Sequence, residues 1–343
     1  MKTRDFFFNL PEHLIAQKPP RERGTTRLLV LDRDVEGVRH ACITELPGLL
    51  EPGTVLVLND TRVRRARLFG TARASGGKVE FLLLEESSPG RWTALASKAK
   101  KQRVGKHFIF PEQREAVVVA AEGIYRTLEF QPPIDEAYLE RCGRIPLPPY
   151  IRRTDNAEDA ERYQTIYARH IGSAAAPTAG LHLTSEILEA LQSAGITLAT
   201  VTLHVGVGTF MPIRSAFLAN HIMHSEKYTV PDSTADLVNQ ALREGRKIVA
   251  VGTTVVRTLE AASSPAGMSA EVRAGAGETD IFITPGYDFR VVNGLLTNFH
   301  LPESTLLVLV SAFAGRERVL AAYEEAVENR YSFFSYGDAM LIL

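Results

Sequence analysis

Five apolar runs set the fold reading: Val79-Glu80-Phe81-Leu82-Leu83-Leu84, Trp92-Thr93-Ala94-Leu95-Ala96, His107-Phe108-Ile109-Phe110, Ala116-Val117-Val118-Val119-Ala120 and Tyr125-Arg126-Thr127-Leu128-Glu129-Phe130. They recur every ten to fifteen residues, with Gly or Pro between them. Short strands at that spacing predict a small all-β barrel or sandwich over about residues 65–145.

On the N-terminal side, Leu28–Leu31 and Val55–Leu58 are continuous apolar runs bounded by turn formers. They read as buried strands. Asn59-Asp60-Thr61 follows the second run directly, where polar groups line a site, form a turn or cap a helix. On the C-terminal side, Arg144-Ile145-Pro146-Leu147-Pro148-Pro149-Tyr150 reads as a stiff strap between domains or a proline-rich loop. Beyond residue 155 helices and strands alternate. Helices are predicted over 185–194, 233–244, 253–262, 304–314 and 319–329, with Thr184 and Gly245 as end signals. Strands are predicted over 196–205, 247–251 and 281–283. This alternation is α/β character.

The chain has 343 residues, which suggests about two domains. An apolar share of 45% and a charged share of 23% argue against a disordered chain or a disulfide scaffold. Cys42 and Cys142 form no CxxC pair, as expected in a reducing compartment. The apolar run Leu306–Ala314 is half a membrane span, and Phe6-Phe7-Phe8 is too short for a signal-peptide core. A soluble cytoplasmic protein is expected. Net charge is −1, yet Arg62 to Lys106 holds twelve positive and three negative residues. Such a local excess is the footprint of a polyanion partner, or else a solvated sheet face.

Several motifs carry chemistry. His204-Val205-Gly206-Val207-Gly208-Thr209-Phe210 follows a strand and lets backbone approach a ligand closely. It lacks the third glycine of GxGxxG, and no GKS or GKT occurs, so dinucleotide, kinase and Rossmann methyltransferase readings are weak. His221 and His224 with Glu226 have a metal-like look without HExxH spacing. A substrate or acid–base role for His224 or Glu226 competes there with a plain loop. Pro177-Thr178-Ala179-Gly180-Leu181-His182 precedes a helix and is either an anion-binding start or a turn. Thr297 to Pro302 and Phe333 to Met340 mix aromatic, small and polar residues. Tyr336 and Asp338 there suit stacking a purine and holding an ammonium, or simply a packed C-terminal segment.

Together these segments resemble the S-adenosylmethionine:tRNA ribosyltransferase-isomerase family of queuosine biosynthesis. The resemblance runs from Asp5-Phe6 through Asn59-Asp60-Thr61-Arg62-Val63, Pro146 to Ile151, Ala175 to His182, His204 to Phe210, Met223 to Glu226, Val251 to Thr254 with Arg257 and Glu260, Thr297 to Pro302 and Phe333 to Met340. Leu203, Val207, Leu183 and Ala174 depart from the family's usual residues.

The resemblance implies an α/β main domain, residues 1–62 and 150–343, with an inserted barrel-like basic domain, residues 63–149. It implies ribosyl transfer from S-adenosylmethionine to the aminomethyl group of a 7-deazaguanine at the tRNA wobble position. No metal and no cofactor beyond the co-substrate S-adenosylmethionine is implied, and no membrane or obligate protein partner. For the general base it suggests His204 or Glu226, with His182, His224 and His300 as further acid–base candidates. Arg257 is expected to pair with the methionine carboxylate and Asp338 to accept from its ammonium. Asn59, Asp60, Arg62, Thr178, Gly180, Gly206, Gly208, Thr209, Asn298 and Tyr336 are expected to contact substrate. Lys98, Lys100, Lys101 and Arg103 are expected to grip the tRNA backbone. A non-catalytic tRNA-binding protein and an S-adenosylmethionine-dependent tRNA methyltransferase are the rival readings.

Overall fold

The computed structural model describes residues 1–206, 208, 213–266 and 269–343. The chain forms two units. The first comprises Met1–Arg62, Pro148–Arg153 and Arg162–Leu343, and the second Val63–Leu147 with Thr154–Glu161. The proline segment is divided, since the chain passes from the second unit to the first between Leu147 and Pro148. Residues 154–161 return to the second unit, a crossing that lies beyond the expected boundary at 149.

The first unit is built on a nine-stranded sheet. Its order is Gly275–Thr279, Glu226–Val230, Thr197–Leu203, Val55–Asn59, Ile248–Val251, Gly294–Asn298, Ala339–Ile342, Arg27–Leu31 and Arg39–Cys42. The four strands from Thr197–Leu203 to Gly294–Asn298 are mutually parallel. Both faces are covered, which is why these strands are continuously apolar. Val55 and Val57 face one core, with Val238, Val255 and Leu259 from the helices Asp232–Glu244 and Thr253–Ala262. Leu56 and Leu58 face the other, with Ile187 and Leu191 from the helix Ser185–Ser193. That helix starts where Thr184 accepts from the Ile187 N–H. Asp232–Glu244 stops at Gly245, whose φ of +68° suits glycine. Two helices, Thr305–Ala314 and Arg316–Glu328, close the first core. The strand expected over 281–283 is absent; Ile283 is a buried loop residue, and the edge strand is Gly275–Thr279.

The second unit is a closed six-stranded antiparallel barrel. The five expected runs all form strands, and Arg67–Ala72 supplies the sixth. Phe81, Trp92, Phe108, Phe110, Val118, Leu128 and Phe130 fill the interior. Among the described residues, no helix is long and apolar enough to cross a membrane.

Candidate functional site

The four parallel strands end side by side and deliver Leu203-His204, Asn59-Asp60-Thr61, Gly252-Thr253-Thr254 and Asn298-Phe299-His300 to one edge. In open α/β sheets ligands bind at this edge. A cleft there is lined by Thr178, Val205, Gly252, Thr254, Asn298 and His300, among others. Gly252 turns the chain from strand to helix at φ +93°. The first N–H groups of that helix, at Thr253 and Thr254, have no partner within it and favour an anion.

Asn59 ties the edge together. Its Nδ2 donates to the Leu203 carbonyl at 3.1 Å and to Thr254 Oγ1 at 3.2 Å. Its Oδ1 accepts from the Leu203 and Thr61 N–H groups, each at 3.1 Å. The residues flanking Asn59 are thereby placed. Thr61 Oγ1 lies 2.8 Å from His204 Nδ1, and Asp60 accepts from Thr202 Oγ1 at 2.6 Å. The His204 ring sits over Gly172, where a Cβ would come within 2.7 Å of it.

Glu226 and Arg257 form an ion pair with both side chains about 3% exposed. Glu226 Oε1 also accepts from the Gly206 N–H at 2.8 Å. Arg257 thus meets a protein carboxylate at the position where a methionine carboxylate was expected. Gly208 lies against the exposed His224 ring; a Cβ would meet its Cδ2 at 2.3 Å. Thr209 lies outside the described residues. Among the described residues, no three of His, Cys, Asp and Glu converge as metal ligands.

Asn298 accepts from Thr178 Oγ1 at 2.8 Å and donates to the Phe334 carbonyl at 3.2 Å. That carbonyl can only accept, so the Asn298 NH2 faces it and also donates to His182 Nε2 at 2.9 Å. His182 then carries its proton on Nδ1 and donates to Thr26 Oγ1. Both ring nitrogens serve protein partners, and burial pulls the pKa down to about 4. His182 joins Thr26 and Asn298 at the cleft floor. His300 bonds Thr297 Oγ1 at 2.9 Å, and burial lowers its pKa to about 3. Its ring is neutral at pH 7 and borders the cleft.

Asp338, expected to meet an ammonium, is held by protein partners. It accepts from the Arg27 N–H, the Arg27 guanidinium and the Ser332 N–H at 2.8–3.2 Å. Tyr336 is buried edge-on against Tyr163, at 5.8 Å between centroids. Gly180 is a packing glycine, since a Cβ would meet Tyr167 Oη at 2.1 Å. Arg62 is exposed.

The comparisons with known proteins cover this whole arrangement. Residues 3–342 match the family model of the queuosine biosynthesis protein. The chain belongs to that family. Relatives named S-adenosylmethionine:tRNA ribosyltransferase-isomerase from Carboxydothermus hydrogenoformans and Clostridioides difficile are 49% and 48% identical, over 100% of both chains in each case. A solved structure of S-adenosylmethionine tRNA ribosyltransferase from Thermotoga maritima is similar at TM-score 0.57 and 38% identity, covering 99% of this chain and 100% of that one.

Within this family member, two positioning residues escaped the sequence reading of the site, Gly172 and Ser173, while Thr61 and Thr254 stood in its motifs without a role of their own. Ser173 Oγ accepts from the Val205 N–H at 2.9 Å and so holds the chain after His204. Thr254 stood in plain view, since a helix start directly after a buried strand is a binding signal. Glu260, in the same helix, accepts from three backbone N–H groups at 290–292 and from Tyr287, so it braces a loop. Lys98, Lys100, Lys101 and Arg103 are all exposed on the barrel.

Proposed function

We propose that the chain transfers the ribosyl group of S-adenosylmethionine to the 7-aminomethyl-7-deazaguanine base at the tRNA wobble position and isomerises it. The products are epoxyqueuosine-tRNA, adenine and methionine. Full-length similarity to relatives named for this activity carries the reading. The chain is a transferase whose substrates are S-adenosylmethionine and tRNA.

In this reading a base removes a proton from the ribose carbon beside the sulfonium. The ylide opens the sugar and expels adenine, the tRNA amine attacks, and methionine leaves as the epoxide closes. The sequence is redox-neutral, so no further cofactor enters.

His204 is assigned as the base. Thr61 makes the most hydrogen bonds when it donates to the His170 carbonyl and accepts from His204 Nδ1–H. That tautomer puts the lone pair on Nε2. Glu226 is the poorer choice, because Arg257 and the Gly206 N–H already engage its oxygens. With Arg257 and Asp338 committed elsewhere, the methionine carboxylate is assigned to the helix start at Thr253 and Thr254.

The test is an incubation with S-adenosylmethionine and tRNA carrying the aminomethyl base. Release of adenine and methionine that depends on this tRNA supports the reading. Formation of S-adenosylhomocysteine, or tRNA binding without turnover, refutes it.

A further inference from the structure

The arginines of the basic stretch are largely spent on the barrel itself. Arg64, Arg65, Arg67, Arg73 and Arg91 pair with Glu136, Glu140, Glu80, Glu115 and Glu129. Four cations outside any ion pair among the described residues gather in one loop: Lys98, Lys100, Lys101 and Arg103. Like charges this close repel, so the loop needs an internal organiser.

Arg126 has the geometry for that role. It is 5% exposed, and its guanidinium donates to the carbonyls of Ala99, Gln102, Gly123 and Tyr125. Gln102, also buried, donates to the Ser97 and Lys98 carbonyls at 3.2 and 3.4 Å and accepts from Lys106 Nζ at 2.8 Å. The loop thus turns its carbonyls inward, and Lys98 adopts a left-handed φ of +52° to do so. Its cationic side chains are left in solvent. The partners of Arg126 are carbonyls, not carboxylates, so its charge adds to that of the loop instead of cancelling it.

We propose that Arg126 is the positioning residue of the tRNA contact. It clasps the 97–103 loop into one shape, so that the four exposed cations meet the phosphate backbone already ordered. This rests on the reading that the barrel grips tRNA. Pre-ordering spares the loss of side-chain and loop freedom on binding. Arg126 itself touches no phosphate.

The experiment compares three variants of the full chain: Arg126→Lys, which keeps charge but loses the planar fork, Gln102→Ala, and neutralisation of Lys98, Lys100, Lys101 and Arg103 together. The readouts are tRNA affinity across a salt series, KM for S-adenosylmethionine, kcat at saturating tRNA and thermal unfolding followed by Trp92, which is buried in the barrel core. Arg126→Lys and Gln102→Ala are each expected to weaken tRNA binding about tenfold, the cost of ordering a few side chains and the loop. KM for S-adenosylmethionine and saturated kcat stay unchanged, and the Trp92 transition stays cooperative, lowered only by the hydrogen bonds lost at the clasp. The neutralised variant loses affinity and salt slope. Wild-type tRNA binding by both clasp variants, while the neutralised variant binds weakly, overturns the role of Arg126. So does a loss of kcat parallel to the loss of affinity. Normal binding by the neutralised variant overturns the barrel reading itself. If Arg126→Lys fails to fold, Gln102→Ala decides.

Discussion

The Glu226–Arg257 pair gives the sharpest stability prediction. Both side chains are about 3% exposed, so neither charge has water as an alternative partner. Removing one member of a buried pair costs about 3–5 kcal/mol, mostly because the other charge is stranded. Glu226→Gln strands the Arg257 charge but leaves an amide oxygen for the Gly206 N–H, so the lower end, about 3 kcal/mol, is expected. Arg257→Met strands the carboxylate, which keeps the Gly206 N–H, and should also cost about 3 kcal/mol. The double variant removes both charges. It should cost about the same as either single change, giving a coupling near 3 kcal/mol. Urea denaturation followed by far-UV circular dichroism supplies the three differences. Single costs below about 1 kcal/mol, or costs that simply add in the double variant, would refute a desolvated, mutually dependent pair.

Other consequences are as direct. His182 and His300 stay neutral when folded until about pH 4 and about pH 3, whereas unfolded histidines take up protons below about pH 6.5. Their stabilisation is therefore present above pH 6.5 and lost as pH falls, by about 2 kcal/mol per histidine between pH 7 and pH 5. The melting temperature should drop over that range, and less so in His182→Asn; a flat profile would contradict this. Asp338→Asn should cost about 2 kcal/mol through weakened bonds to Arg27 and Ser332, with KM for S-adenosylmethionine unchanged. A large rise in KM instead would restore Asp338 as the ammonium partner. Gly180→Ala should destabilise by about 1–3 kcal/mol, because the new methyl meets Tyr167 Oη. An unchanged urea midpoint would show that the Thr165–Tyr167 segment moves aside freely.

What sequence made legible follows from how burial is distributed. Val55–Leu58 read as a strand because Leu56 and Leu58 enter one core while Val55 and Val57 enter the other. The barrel runs read clearly because their apolar residues share one interior. Arg67–Ala72 was hidden because two of its three inward positions are the small Gly70 and Ala72, and Gly70 is small because Phe110 packs where its Cβ would be. Ile281-Phe282-Ile283 misled because apolar residues also bury loops. The true edge strand was concealed by Gly277, whose missing side chain admits the Tyr228 ring.

For the site, the strand-end residues Asn59, His204 and Asn298 were legible as polar groups directly after apolar runs. Their partners were not. His182 bonds Thr26 and Asn298, which lie 156 and 116 residues away, and Arg257 meets Glu226 across 31. Residue type alone could not tell a committed Arg257 or Asp338 from one open to a ligand.

The central claim is that S-adenosylmethionine gives up its ribosyl carbons here and not its methyl. The most direct measurement uses two labelled forms, one with carbon-13 throughout the ribose and one with carbon-13 in the methyl group. Each is incubated with the protein and the aminomethyl-bearing tRNA, and the digested nucleosides are weighed by mass spectrometry. The account predicts that all five ribose carbons arrive in the modified nucleoside and that the methyl label leaves with methionine. Methyl label in the nucleoside, or no label at all, would contradict it.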